Sequence, residues 1–192
     1  MLPIPYFQRM KKNTETATLG GGCFWCIEAI YKRLEGVKKV RSGYSGGSIK
    51  NPAYREVCDG RTGHAEVCAI EFDPEIISFQ EILDVFWKIH DPTTLNRQGN
   101  DVGTQYRSVI FFHTNTQKIL AEASKNELSI NAYYEKPIVT EISACETFYP
   151  AESYHNSYFE LHREEPYCRL VVLPKVEKFE TVFANKLKKA GD

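Results

Sequence analysis

At 192 residues, 42% hydrophobic and 26% charged, with 24 basic against 25 acidic side chains, the chain has the makeup of one ordinary globular domain and carries no basic stripe for nucleic acid. No apolar run approaches the roughly 20 residues of a membrane span, and residues 1–7 lack the basic leader and apolar stretch of a secretory signal. Six cysteines, at positions 23, 26, 58, 68, 145 and 168, are too few and too scattered for a secreted disulfide scaffold, so a reducing, cytoplasmic setting is expected.

Residues 1–13 read as a polar N-terminal extension. A short strand is expected over 17–19, a helix over 24–34 stopped by Gly36, and a strand over 37–44. A loop rich in Gly, Asn and Pro (46–63) then leads to a strand over 66–72. Ser78 with Glu81 forms a capping-box signature ahead of a helix carrying Phe79, Ile82, Leu83 and Phe86. After a second long loop (91–104) come a strand over 106–112, a helix opened by Thr114 and Gln117 and running to about 128, and a strand over 138–144. A helix over 176–187 makes the core of a C-terminal helical extension, about 174–192. This order suits an α+β fold within a single domain, a two-layer α/β sandwich with a mainly antiparallel sheet and a ferredoxin-like core.

The densest chemical signal is Gly20-Gly21-Gly22-Cys23-Phe24-Trp25-Cys26, where the first strand meets the first helix. Glycines allow a tight turn, and a cysteine at a helix N-terminus meets unpaired N–H groups that favour its thiolate. Cys23 and Cys26 fall about one turn apart on one helix face and can bridge. A buried thiol pair or half of a zinc site would use the same spacing, but a second CxxC is missing and the five histidines are scattered, so no metal is expected. Phe24 and Trp25 read either as core aromatics or as the wall of a pocket for a small apolar group. Adjacent residues at a helix start do not easily both point inward, so one of them is expected at the site.

Gly22-Cys23-Phe24-Trp25 resembles the active-site signature of the A-type methionine sulfoxide reductases. Further blocks resemble that family in its order: Asn51-Pro52-Ala53-Tyr54-Arg55-Glu56-Val57-Cys58, Gly63-His64-Ala65-Glu66-Val67, Asp101-Val102-Gly103-Thr104-Gln105-Tyr106-Arg107-Ser108, and Phe148-Tyr149-Pro150-Ala151-Glu152 with Tyr154-His155. The resemblance implies reduction of the S-epimer of methionine sulfoxide, free or in proteins, with no cofactor. Cys23 would be the nucleophile and Glu66 the acid, with Phe24 and Trp25 around the substrate and Tyr54, Tyr106 and Asp101 at its oxygen.

Attack at sulfur would leave methionine and a sulfenic acid on Cys23, which a second thiol must resolve. Cys26 is the first candidate resolver, Cys168 the second and Cys58 the third. The family has a glycine-rich tail around its last cysteine, whereas Leu173-Pro174-Lys175 stands here. The resemblance implies thioredoxin as reductant, and a monomer is expected. His64 and His155 read as structural. The competing readings are a thioredoxin-like dithiol oxidoreductase, a single-turnover redox-sensing module, and a cysteine hydrolase pairing Cys23 with a histidine.

Overall fold

A computed structural model of the chain describes residues 14–189, so the N-terminal extension expected over 1–13 lies outside the described residues. The elements follow as β1 (Glu15–Gly21), α1 (Phe24–Tyr31), β2 (Val37–Ser45), α2 (Tyr54–Cys58), β3 (Ala65–Phe72), α3 (Phe79–Ile89), β4 (Arg97–Gln98), β5 (Asp101–Val102), β6 (Ser108–Phe112), α4 (Asn115–Ile130), β7 (Glu141–Ala144), β8 (Phe148–Pro150), α5 (Tyr158–Leu161) and α6 (Leu173–Val182). Six strands form one mixed sheet in the order β7-β6-β1-β3-β2-β8, and β4 and β5 make a separate two-stranded ribbon. The β6–β7 pair is parallel; the other four pairs of the main sheet are antiparallel. No helix among the described residues is long and apolar enough to cross a membrane.

Strand parity decides which side chains meet the helices, because successive residues point to opposite faces. On β3, Cys68, Ile70 and Phe72 enter the large core with Leu19, Ile27, Ile30, Phe86 and Phe179. Ala65 and Val67 fall in a smaller cluster with Val109 and Phe111, against which Cys145 and Phe148 pack. Glu66 has the parity of Cys68, and so points toward the helical layer at the level where α1 begins.

Helix ends follow their sequence signals. Ser78 Oγ accepts from the Glu81 N–H at 3.2 Å while Glu81 accepts from the Ser78 N–H at 2.9 Å, closing the capping box. Thr114 Oγ1 likewise accepts from the Gln117 N–H. The expected strand over 106–112 begins only at Ser108, because Thr104–Tyr106 form a 3-10 turn. The strand expected over 138–144 is confined to Glu141–Ala144, and the loop over 46–63 contains the short α2. At the C-terminus a π-helical turn, Cys168–Val172, runs directly into α6, which ends at Val182 before a 3-10 turn at Ala184–Lys186. Pro174 has no N–H for the carbonyl four residues back, and a widened turn accommodates that loss. α6 is anchored: Val176 and Phe179 are buried in the core, and Glu180 pairs with Arg33 at 3.0 Å.

Candidate active site

The turn between β1 and α1 has no room for side chains. A Cβ on Gly20 would sit 2.7 Å from the Glu66 carbonyl oxygen, and Gly22, at φ +94°, would place one 2.7 Å from Gln98 Cβ. This close approach sets Cys23 at the N-cap of α1 beside Glu66. The Phe24 N–H, one of the orphan donors of the first turn, donates to Glu66 Oε2 at 3.1 Å.

Glu66 is 1% exposed. Burial pushes its carboxyl up to about 8, the Phe24 N–H draws it back, and the charges of Asp101 and Cys26 raise it further. It therefore holds its proton at neutral pH. A cavity of about 290 Å³ joins it to Cys23, Phe24, Trp25, Tyr54, Asp101 and Tyr106, all of which the sequence singled out, and to Tyr158, Glu165 and Tyr167, which it did not. A larger cavity of about 780 Å³, lined among others by Trp87, His90, Tyr133 and Lys175, has no cysteine in its wall.

The aromatic wall is braced from behind. Phe24 is fully buried and Trp25 half-buried, so Trp25 is the more open of the pair. Tyr158 stacks on Trp25 with ring centres 3.8 Å apart and planes 5° from parallel, and Tyr167 meets it edge-on at 5.7 Å. Trp25 Nε1 donates to Nδ1 of His155 at 3.1 Å, and burial lowers that imidazole's affinity for a proton. His155 thus serves as a neutral acceptor. The loop carrying it is tied to α1 by the buried Glu28, which accepts from the Ser157 N–H at 3.0 Å and pairs with Lys32 at 2.8 Å.

On the polar side, the Tyr167 hydroxyl donates to Asp101 Oδ2 at 2.7 Å. Glu152 accepts the Tyr54 N–H and the Tyr44 hydroxyl, each at 2.9 Å, fixing the start of α2 against β2. Burial raises the hydroxyls of both Tyr54 and Tyr106, keeping them as donors. Tyr158 and Tyr167 had only positional signals, one following Tyr154-His155 and the other preceding Cys168.

The thiols differ from the expectation that Cys23 is ionised at rest. Burial pushes Cys23 well above the ordinary thiol range, reinforced by the proton it shares with Cys26 and by Glu66. Helix-terminal stabilisation of about 0.3–1 kcal/mol acts against this. Cys26 is drawn down instead, first by its hydrogen bond with Cys23 and, against burial, by Lys175, whose Nζ lies 3.7 Å from its sulfur. Cys168 is fully buried in the widened turn, where burial and nearby Cys26 raise its thiol, while Cys58 ends α2 next to Tyr54, half-buried. Among the described residues no group of three His, Cys, Asp or Glu side chains is placed to hold a metal ion.

Residues 15–187 match the family model described as peptide methionine sulfoxide reductase. A relative from Saccharolobus solfataricus named peptide methionine sulfoxide reductase MsrA is 56% identical over 91% of this chain and 97% of its own. Among solved structures, Mxr1 from Saccharomyces cerevisiae in reduced form superposes with a TM-score of 0.74 at 32% identity, covering 84% of this chain and 94% of that one. Methionine sulfoxide reductase A of Corynebacterium diphtheriae superposes at 0.71 with 34% identity, over 80% of this chain and 77% of that one. With the family model spanning β1 to the end of the helical layer and a relative this similar over nine-tenths of its length, the chain belongs to the peptide methionine sulfoxide reductase family.

Proposed function

We propose that this protein reduces the S-epimer of methionine sulfoxide, free or within proteins, to methionine, using Cys23 as nucleophile and Glu66 as acid. The observation that carries the reading is the pairing, in one small cavity, of a cysteine with a buried carboxyl group that keeps its proton up to about pH 8. Sulfoxide reduction needs a sulfur nucleophile at the substrate sulfur and a proton for the oxygen. The S-methyl group would lie against Phe24 and Trp25, and the oxygen would face Glu66, Tyr54 and Tyr106, with Asp101 holding Tyr167 at the rim.

As Cys23 adds to the sulfur and Glu66 protonates the oxygen, two electrons pass to the substrate and methionine leaves Cys23 as a sulfenic acid. Cys26, one turn along α1 with its backbone N–H on the Cys23 carbonyl at 3.1 Å, is the resolver of choice. Cys168 would need its widened turn to open first, and Cys58, at the end of α2, is not among the residues lining the cavity. A dithiol protein of the thioredoxin type would reopen the disulfide. The central strands, in the order β6-β1-β3-β2 with α1 and α3 between them in sequence, support a ferredoxin-like core within a single domain that includes the C-terminal helices. The protein would act as a cytoplasmic monomer with no cofactor, a setting in which its six thiols stay reduced between turnovers. A general dithiol oxidoreductase fits less well, since Cys23 and Cys26 are only 6% and 3% exposed, buried rather than presented on a docking face.

Incubation of the reduced protein with one equivalent of the S-epimer, without reductant, tests this. One methionine per chain should form, and peptide mass mapping should show Cys23 joined to Cys26. Cys23→Ser should form none; methionine formation by that variant, or by Glu66→Gln at the wild-type rate, would refute the assignment.

A further inference from the structure

Lys175, on α6, is half-buried and lines the larger cavity with Trp87, His90 and Tyr133. Its ammonium could extend into that open space and stay hydrated. It reaches instead to the buried sulfur of Cys26, 3.7 Å away, and among the described residues no carboxylate lies within ion-pair distance of it. With no carboxylate at hand, the sulfur it touches is the group placed to serve as its counter-ion. Nothing in the sequence singled this residue out.

We propose that Lys175 is a positioning residue for the second thiol: it holds Cys26 as a thiolate, so that Cys26 takes the Cys23 proton during attack and afterwards closes on the sulfenic acid. The proposal rests on the sulfoxide-reductase reading and assigns the proton transfer that reading leaves open. The groups around the pair agree with it. Asp101, facing it from β5, and Cys168, from the widened turn, oppose a second negative charge, while Glu66, facing it from β3, keeps its proton. The Tyr167 hydroxyl, also from the helical layer, donates to Asp101 and faces Cys23 as well, drawing that thiol down by less than burial and Cys26 raise it. His90, beside Lys175 at the end of α3, is held neutral, its pKa lowered to about 4 by burial and by Lys175 itself. Lys175 is the cation at the pair.

The step balances. The Cys23 S–H bond breaks and its proton passes to the Cys26 sulfur. The Cys23 sulfur bonds to the sulfoxide sulfur while Glu66 protonates the oxygen. The hydroxyl then ends on Cys23 as methionine departs with two more electrons. Cys26 next attacks the sulfenic sulfur, and its proton leaves with the hydroxyl as water. A disulfide and an ionised Glu66 remain, and Glu66 regains a proton from solvent.

The test is the pH profile of single-turnover methionine formation in wild type, Lys175→Met and Lys175→Arg, together with the thiolate absorbance of the resting proteins. The wild type should show one thiolate at pH 7 that is lost in Cys26→Ser. In Lys175→Met the rising limb of the rate should move up by about 1–2 pH units, the range expected for loss of an adjacent opposite charge, and Lys175→Arg should restore it. An unshifted limb in a folded Lys175→Met, or a resting wild type with no thiolate at pH 7, overturns the proposal. Should Lys175→Met not fold, the wild-type and Cys26→Ser absorbance decides alone. Absence of methionine from the wild type at every pH would instead mark failure of the sulfoxide-reductase reading.

Discussion

A carboxyl group buried like Glu66 weakens the fold in proportion to how far its proton affinity is displaced. The ordinary value is 4.5 and the folded value about 8, so between those limits the folded chain keeps a proton that the unfolded chain releases. Stability must then fall as pH rises through that window, by ~3 kcal/mol at pH 7. In Glu66→Gln the amide oxygen still accepts from the Phe24 N–H, and the displaced ionisation is gone. This variant should melt higher than wild type at pH 7, with the difference vanishing near pH 4, while single-turnover methionine formation falls about 10²–10⁴-fold. A melting difference that does not grow with pH would show that Glu66 is not buried as a neutral acid. The wild-type rate should decline as pH rises through about 8, where the acid form is lost. The residues that frame this acid were legible because Cys23, Glu66, Tyr54 and Asp101 lie within contiguous blocks of sequence. Lys175 was not, since its partner Cys26 lies 149 positions away and no local pattern links them.

At the scale of elements, the widened turn at Cys168–Val172 decides what the last cysteine can do. Its thiol is fully enclosed, and the turn flows into α6 without a flexible joint. Cys168→Ser should therefore recycle with a dithiol reductant at close to the wild-type rate, whereas Cys26→Ser should complete one turnover and stall; steady-state assays with a thioredoxin system separate the two, and the opposite ranking would make Cys168 the resolver. The long periodic elements α1, β2, β3 and α3 were readable because apolar spacing and capping residues act locally. β8 is three residues long, and the pairing of β6 with β7 is parallel, a choice made by packing across the chain. The strand expected from residue 106 starts two residues later because Thr104–Tyr106 close into a 3-10 turn.

For the molecule as a whole, the C-terminal helical layer closes one side of the core and also supplies Tyr167 to the cavity. Arg33, just past α1, bonds to both Glu160 of α5 and Glu180 of α6 at 3.0 Å, and Lys186, in the 3-10 turn after α6, pairs with Glu81 of α3. Phe179 is 2% exposed. Phe179→Ala should cost ~3–5 kcal/mol and lower the melting temperature by roughly 10 °C. A loss below about 1 kcal/mol, seen in denaturant unfolding, would show that α6 packs too loosely to belong to the core.

The deep placement of Cys23 has one more consequence. A protein that works where oxidants are abundant must keep its own sulfur from being consumed by them, and peroxides and alkylating agents react with thiolates far faster than with thiols. Burial keeps Cys23 protonated, Cys26 beside it is almost wholly shielded, and burial likewise raises the thiols of the more accessible Cys58 and Cys145. Reactivity is in this way released only when a substrate fills the cavity, which lets a repair catalyst survive the stress it answers.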